Sequence, residues 1–165
     1  MFQIGDRVVY GIHGVCSIHG IDVQRVNRKR VEYYVLVPQS QPDARFLVPT
    51  QNQTALSKLR LLLSQQQIHD LLAVGKINHY AWIEDENQRK HQYRELINSG
   101  DCAGLIGMIR LLYQHKERQL SQGRKFHMCD ENFLRDAEKL LASEFSYVLN
   151  IPQTEVGRYI QDNLK

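Results

Sequence analysis

The sequence predicts an α+β protein in two parts, a small β-barrel over residues 1–60 and an all-α helical unit over residues 61–165. Two observations carry this. Within the first fifty residues, short runs rich in Val, Ile and Tyr alternate with Gly, Pro and Asn, at the spacing of small-barrel strands. From residue 64 the apolar residues recur in steps of three and four, the period of a helix that buries one face.

The elements follow in order. Asp6 to Tyr10 reads as a strand, Gly11 to Gly14 as a turn, and Val15 to Ile21 as a second strand. Val26 to Arg30 reads as a polar loop. Val31 to Val37 has the strongest strand signal in the chain, Pro38 to Asp43 is a turn, and Arg45 to Pro49 is a fourth strand closed by proline. The boundary between the parts falls within 51–66 and carries the apolar run Leu59 to Leu63, so it reads as a packed connection. A short helix is expected from Gln67 to Val74, ended by Gly75, followed by a loop to Ala81. A second helix begins at Trp82 or Ile83 and runs to Asn98, broken by Ser99-Gly100-Asp101. A third carries Cys102, Leu105, Ile106, Ile109, Leu112 and Tyr113 on one face. A fourth aligns Leu134, Ala137, Leu141, Phe145 and Val148, and Pro152 suits the first turn of a fifth that ends near Leu164.

Composition narrows the function classes. The net charge of +3 is too small for a nucleic-acid coat protein. Its distribution is uneven: residues 1–63 hold 8 Lys/Arg against 4 Asp/Glu, and residues 64–165 hold 13 against 14. Any DNA contact by the second part therefore needs a local basic face. Cys16, Cys102 and Cys129 are odd in number and far apart, which speaks against a disulfide framework. No apolar run is long enough for a membrane span, and the N-terminus lacks a secretory pattern, so a cytoplasmic protein is expected. His127-Met128-Cys129 is the densest group of potential metal ligands, but no fourth ligand lies near it and it reads more simply as a helix start. Gly5, Gly11, Gly14 and Gly20 match no phosphate-binding loop, and no nucleophile frame is present. The expectation is a protein without a catalytic residue, metal or cofactor.

One stretch invites a binding role. Trp82 is the only tryptophan and stands before a helix whose first turn holds Glu84-Asp85-Glu86. It could pack between the two parts or at the helix start, or it could be an aromatic wedge against a distorted base step. Arg89, Lys90 and Arg94 follow; they could contact phosphates or form a solvated face laced with pairs to Glu86.

At this point the residues resemble a known family. The string Phe2-x-x-Gly5-Asp6-x-Val8-Val9-Tyr10-x-x-His13-Gly14-Val15, then Tyr33-Tyr34-Val35-Leu36 and Phe46-Leu47-Val48-Pro49, is similar to the CarD/CdnL family of bacterial transcription regulators. The same N-terminal module occurs in transcription-repair coupling factor. The second half fits through Trp82, Glu95-Leu96-x-x-Ser99-Gly100-Asp101 and Ala137-Glu138-x-Leu140-Leu141-x-x-Glu144. The family's Leu-Ser-x-x-Glu helix start has two matches, Leu120-Ser121-x-x-Arg124 and Phe126-His127-x-x-Asp130, of which the second keeps the acid and the better spacing.

The resemblance implies a Tudor-like barrel that binds the β subunit of RNA polymerase, partly by aligning sheet edges, through Arg25, Arg45, Phe46 and Leu47. It also implies that the helical unit meets promoter DNA at the upstream edge of the bubble, with Trp82 as a wedge and Arg89, Lys90 and Arg94 on the backbone. The implied function is sequence-independent stabilisation of the open promoter complex by a monomer. The alternative is a polymerase-bound adaptor for another protein, without DNA contact.

Overall fold

The computed structural model describes residues 2–77 and 81–165. Of the loop expected between Gly75 and Ala81, positions 78–80 lie outside the described residues. The chain divides into two compact units, Met1–Leu62 and Leu63–Lys165.

The first unit is an antiparallel sheet. Its strands are β1 (Arg7–Tyr10), β2 (Val15–Val26), β3 (Lys29–Pro38), β4 (Phe46–Pro49) and β5 (Leu59–Leu61), in the order β4-β3-β2-β1-β5. One 3-10 turn, Gly11–His13, joins β1 to β2, and Gly14 follows it at φ 74°, ψ −150°, a backbone region that only glycine occupies freely. A single helical turn, α1 (Gln53–Leu56), precedes β5 and is capped by the Asn52 side chain, which accepts from Ala55 N. Val8, Cys16, Ile18, Tyr34, Leu36, Val48 and Leu59 form the core. The sheet does not close. Among the described residues β4 pairs only with β3 and β5 only with β1, so both are edges and the expected barrel is an open sheet.

Two elements here depart from the sequence expectation. Residues 26–30 are not a loop. Only Asn27 and Arg28 turn, both with left-handed φ (51° and 64°), while Val26 and Lys29 already pair. Successive left-handed residues make the tight hairpin connection whose twist matches its strands. The register also shifts between Ile18 and Gly20, and beyond this bulge every β2 residue from Ile21 is exposed. The second departure is that α1 and β5 lie within the stretch read as a connection. Both are too short for a periodic signal.

Among its described residues the second unit holds five helices: α2 (Gln65–Ile77), α3 (Glu86–Ser99), α4 (Cys102–Ser121), α5 (Met128–Leu149) and α6 (Gln153–Leu164). Asp85 caps α3 by accepting from Gln88 N, and Asp101 caps α4 by accepting from Gly104 N. Gly100 ends α3 and Asn150 ends α5 in the left-handed conformation. Helix α4 packs against each of the other four. That position explains why Gly107 and Met108 are buried beside the predicted face of Leu105, Ile106, Ile109 and Leu112.

Gly75 does not end α2. It lies within the helix, buried, and a Cβ there would stand 2.5 Å from Ile106 Cγ2 and 3.3 Å from Leu164 Cδ2. The glycine lets α2 approach α4 and α6, a packing reason that a propensity argument takes for a stop.

Candidate functional site

Two surfaces merit attention, one in each unit. In the sheet unit, β4 exposes its far edge. Thr50 N donates to Glu32 O (2.9 Å), and Pro49, Val48, Leu47 and Phe46 pair with Tyr33, Tyr34, Val35 and Leu36. Hydrogen bonding alternates along an antiparallel pair, so Phe46 and Val48 address β3 while the Leu47 N–H and C=O face outward. Leu47 is 40% exposed. Beside it, the Phe46 ring packs at a tilt against His13 (ring centroids 4.3 Å apart) and Tyr10 (5.7 Å), forming an aromatic cluster at the end of the strand. Arg45 is exposed, and its guanidinium donates to the carbonyls of Pro42 (2.6 Å) and Ala44 (2.8 Å), which fixes the turn before β4.

The structure brings Arg45, Phe46 and Leu47 together but not Arg25. Arg25 pairs with Arg30 near the hairpin end, five residues along β3 from the partner of Leu47, or about 17 Å at a normal strand rise.

In the helical unit, Trp82 precedes α3 and is half-buried. Its indole stacks nearly parallel on the His115 ring of α4 (3.7 Å, 8°), and the Arg89 guanidinium lies over it at 4.5 Å. It is not a helix-start staple, because the residue before the Asp85 cap is Glu84. Burial is the largest cause holding His115 below its ordinary value of 6.5; the Arg89 and Arg118 charges act in the same direction, and Asp130 opposes them.

Arg89 requires a correction. It is only 6% exposed. Its Nε donates to Asp130 Oδ1 (3.0 Å), its Nη2 to Asp130 Oδ2 (3.2 Å) and its Nη1 to the Ile83 carbonyl (2.8 Å). A guanidinium so engaged is not on offer to a phosphate. It ties α3 to α5 and fixes the segment that carries Trp82. Asp130, near the start of α5, is the acid of the Phe126-His127-x-x-Asp130 match, and His127 is the residue before that helix. His127 supplies no side-chain cap.

Lys90 is half-buried and ion-paired with Glu86, one turn away, which pushes its pKa up. Arg94 is exposed. Sequence reasoning missed Arg118, which lines a crevice with Trp82, Leu111, Gln114 and His115. It also missed the exposed pair Arg124 and Lys125 between α4 and α5. The i,i+3 spacing of His115 and Arg118 was legible; that Trp82 would stack there was not, because the contact spans 33 residues. Among the described residues no group of His, Cys, Asp and Glu could hold a metal, and no helix is long and apolar enough to cross a membrane.

The comparisons agree with the two-unit division of the chain. Residues 2–60 match the CarD-like/TRCF RID domain, and residues 75–161 match the CarD C-terminal domain. A relative in Bacillus subtilis (strain 168), named "Putative transcription factor YdeB", is 27% identical over 167 residues, covering 96% of this chain and 99% of its own. With both domain types matched in order over most of its length, the chain belongs to the CarD family.

Proposed function

We propose that this CarD-family protein regulates transcription by binding RNA polymerase through the β4 edge of its sheet unit and steadying melted promoter DNA through its helical unit. The polymerase half rests on one observation above others: an open strand edge with the Leu47 backbone facing outward beside the Tyr10–His13–Phe46 cluster. An edge strand accepts a partner strand by main-chain hydrogen bonds, and the exposed Leu47 with the Phe46 cluster supplies apolar anchors. The β subunit is the proposed partner, and Arg45 the adjacent charge. The matched RID domain type supports this, since it is a polymerase-interacting type.

For the DNA half, the support is Trp82, preorganised by His115 and Arg89, with Arg118, Lys90 and Arg94 as candidate phosphate contacts. A wedge gains nothing on stacked duplex and is accommodated where base pairs are opening, so it favours the open state. The chemistry is binding, without a catalytic step. The test is open-complex lifetime on a supercoil-free promoter. Trp82→Ala is expected to shorten it while polymerase pull-down is retained; an unchanged lifetime contradicts the wedge.

One observation favours the second reading, an adaptor that brings another protein to polymerase. Burial of Arg89 and pairing of Lys90 leave Arg94 as the freely exposed cation of the three residues after Trp82. Crosslinking within the polymerase–promoter complex separates the readings: adducts between DNA and residues 82–94 support the wedge, and adducts only to protein support the adaptor.

A further inference from the structure

The net positive charge of the sheet unit sits at one point. Of its 8 Lys/Arg, four are Arg25, Arg28, Lys29 and Arg30, at the end of the β2–β3 hairpin; the other four match its four acids in number. All four are exposed, and no acidic residue lies between Asp22 and Glu32. Among the described residues none of the four has an ion-pair partner. Arg25 pairs directly with Arg30 across the strands, an arrangement of like charges that opposes hairpin formation. Arg28 holds a left-handed φ of 64°, a position that glycine fills at less cost. Local stability therefore does not explain these residues, and a polyanion would.

The rest of the tip identifies which polyanion. Its other residues from 24 to 30 are Gln24, Val26 and Asn27. Arginine, lysine and side-chain amides are the groups that contact phosphates and base edges. An interface with an acidic protein surface is organised around aromatic or large apolar anchors, whereas residues 24–30 hold no aromatic and one apolar side chain, Val26, 40% exposed. The shape also fits. A two-stranded ribbon enters the major groove of B-form DNA, about 12 Å wide and about 8.5 Å deep. β4 last meets β3 where Thr50 N donates to Glu32 O, opposite Val23, so the free two-stranded arm runs from Val23 to Val26 and extends about 10 Å at a normal strand rise, close to the depth of the groove.

We propose that the β2–β3 hairpin is a DNA-binding arm that sets Arg25, Arg28, Lys29 and Arg30 on the phosphates beside the major groove of duplex DNA, without reading sequence. It gives the sheet unit its own nucleic-acid contact, separate from the β4 edge and from Trp82. The inference does not depend on the polymerase reading.

The test uses the full chain and a labelled, mixed-sequence DNA duplex, with affinity measured by fluorescence anisotropy over a series of salt concentrations. The variant Arg25→Gln/Arg28→Gln/Lys29→Gln/Arg30→Gln is expected to bind more than tenfold more weakly at low salt. Its slope of log affinity against log salt should fall by about 3.6, since each of the four lost phosphate contacts removes about 0.9. The all-lysine variant (Arg25→Lys/Arg28→Lys/Arg30→Lys) should keep most of the affinity. Thermal unfolding of the glutamine variant should be unchanged or shifted upward, because a like-charge pair is removed. Wild-type affinity and slope in the glutamine variant would overturn the proposal. So would a variant that loses polymerase pull-down yet keeps its affinity for DNA, since the tip would then serve an acidic protein surface.

Discussion

Asp130→Asn tests the keystone of the helical unit. The substitution keeps shape and removes charge. In the native structure the Arg89 and Asp130 side chains are 8% and 3% exposed and meet through two hydrogen bonds of 3.0 and 3.2 Å. Two desolvated charges at that separation sustain each other, and loss of one leaves the other buried and uncompensated, at a cost of about 3–5 kcal/mol. That is a large part of the roughly 5–15 kcal/mol that holds a domain folded. Urea unfolding followed by far-UV circular dichroism and by the lone tryptophan measures the loss. The second signal is specific, because the Arg89 guanidinium lies over Trp82 and donates to the Ile83 carbonyl beside it. Replacing both partners, Arg89→Met with Asp130→Leu, should recover most of the stability, since apolar groups of similar size carry no desolvation penalty. A loss below about 1 kcal/mol for Asp130→Asn, the range of exposed ion pairs, would refute the reasoning.

Three further outcomes follow from single sites. Gly75→Val should destabilise the helical unit by about 2 kcal/mol or more in urea unfolding, because its Cβ would stand 2.5 Å from Ile106 and packed cores do not yield cheaply. Tyr93→Phe should be neutral or stabilising by up to about 1 kcal/mol: the buried hydroxyl has no hydrogen-bond partner among the described residues, and burial has pushed its pKa up to about 12. His115 is held below 6.5, so the unfolded chain takes the proton first; the stability this group contributes is intact above pH 6.5 and declines as pH falls. Protonation of the stacked ring should change Trp82 fluorescence with a midpoint below 6.5, absent in His115→Leu, and a midpoint at or above 6.5 would contradict the stack.

The division into a strand half and a helical half was legible because each has its own apolar period, and the period follows from which face is buried. The candidate residues were legible as types: Trp82 as the lone tryptophan, Phe46-Leu47 as the close of a strand. Their settings were not. Arg89 reads as a surface cation beside Lys90 until Asp130, 41 residues on, takes its guanidinium into the core. Gly75 reads as a helix stop because propensity records the cost of glycine and not the neighbour that requires it. The run Arg28-Lys29-Arg30 reads as a loop because charge suggests solvent, while the pairing of Val26 with Lys29 makes it a hairpin end. Barrel closure was not legible at all, since strand spacing does not reveal whether β4 meets β5.

The proposed role of the β4 edge is tested most directly by Leu47→Pro. This residue turns its N–H away from β3, so proline removes the outward donor while the ladder to β3 keeps its bonds, and prolines are tolerated on strand edges. Binding of the full-length variant to the isolated polymerase β subunit should fall at least about tenfold, the equivalent of one lost main-chain hydrogen bond at a desolvated interface, with thermal unfolding close to wild type. Wild-type affinity in a folded Leu47→Pro protein would contradict the account.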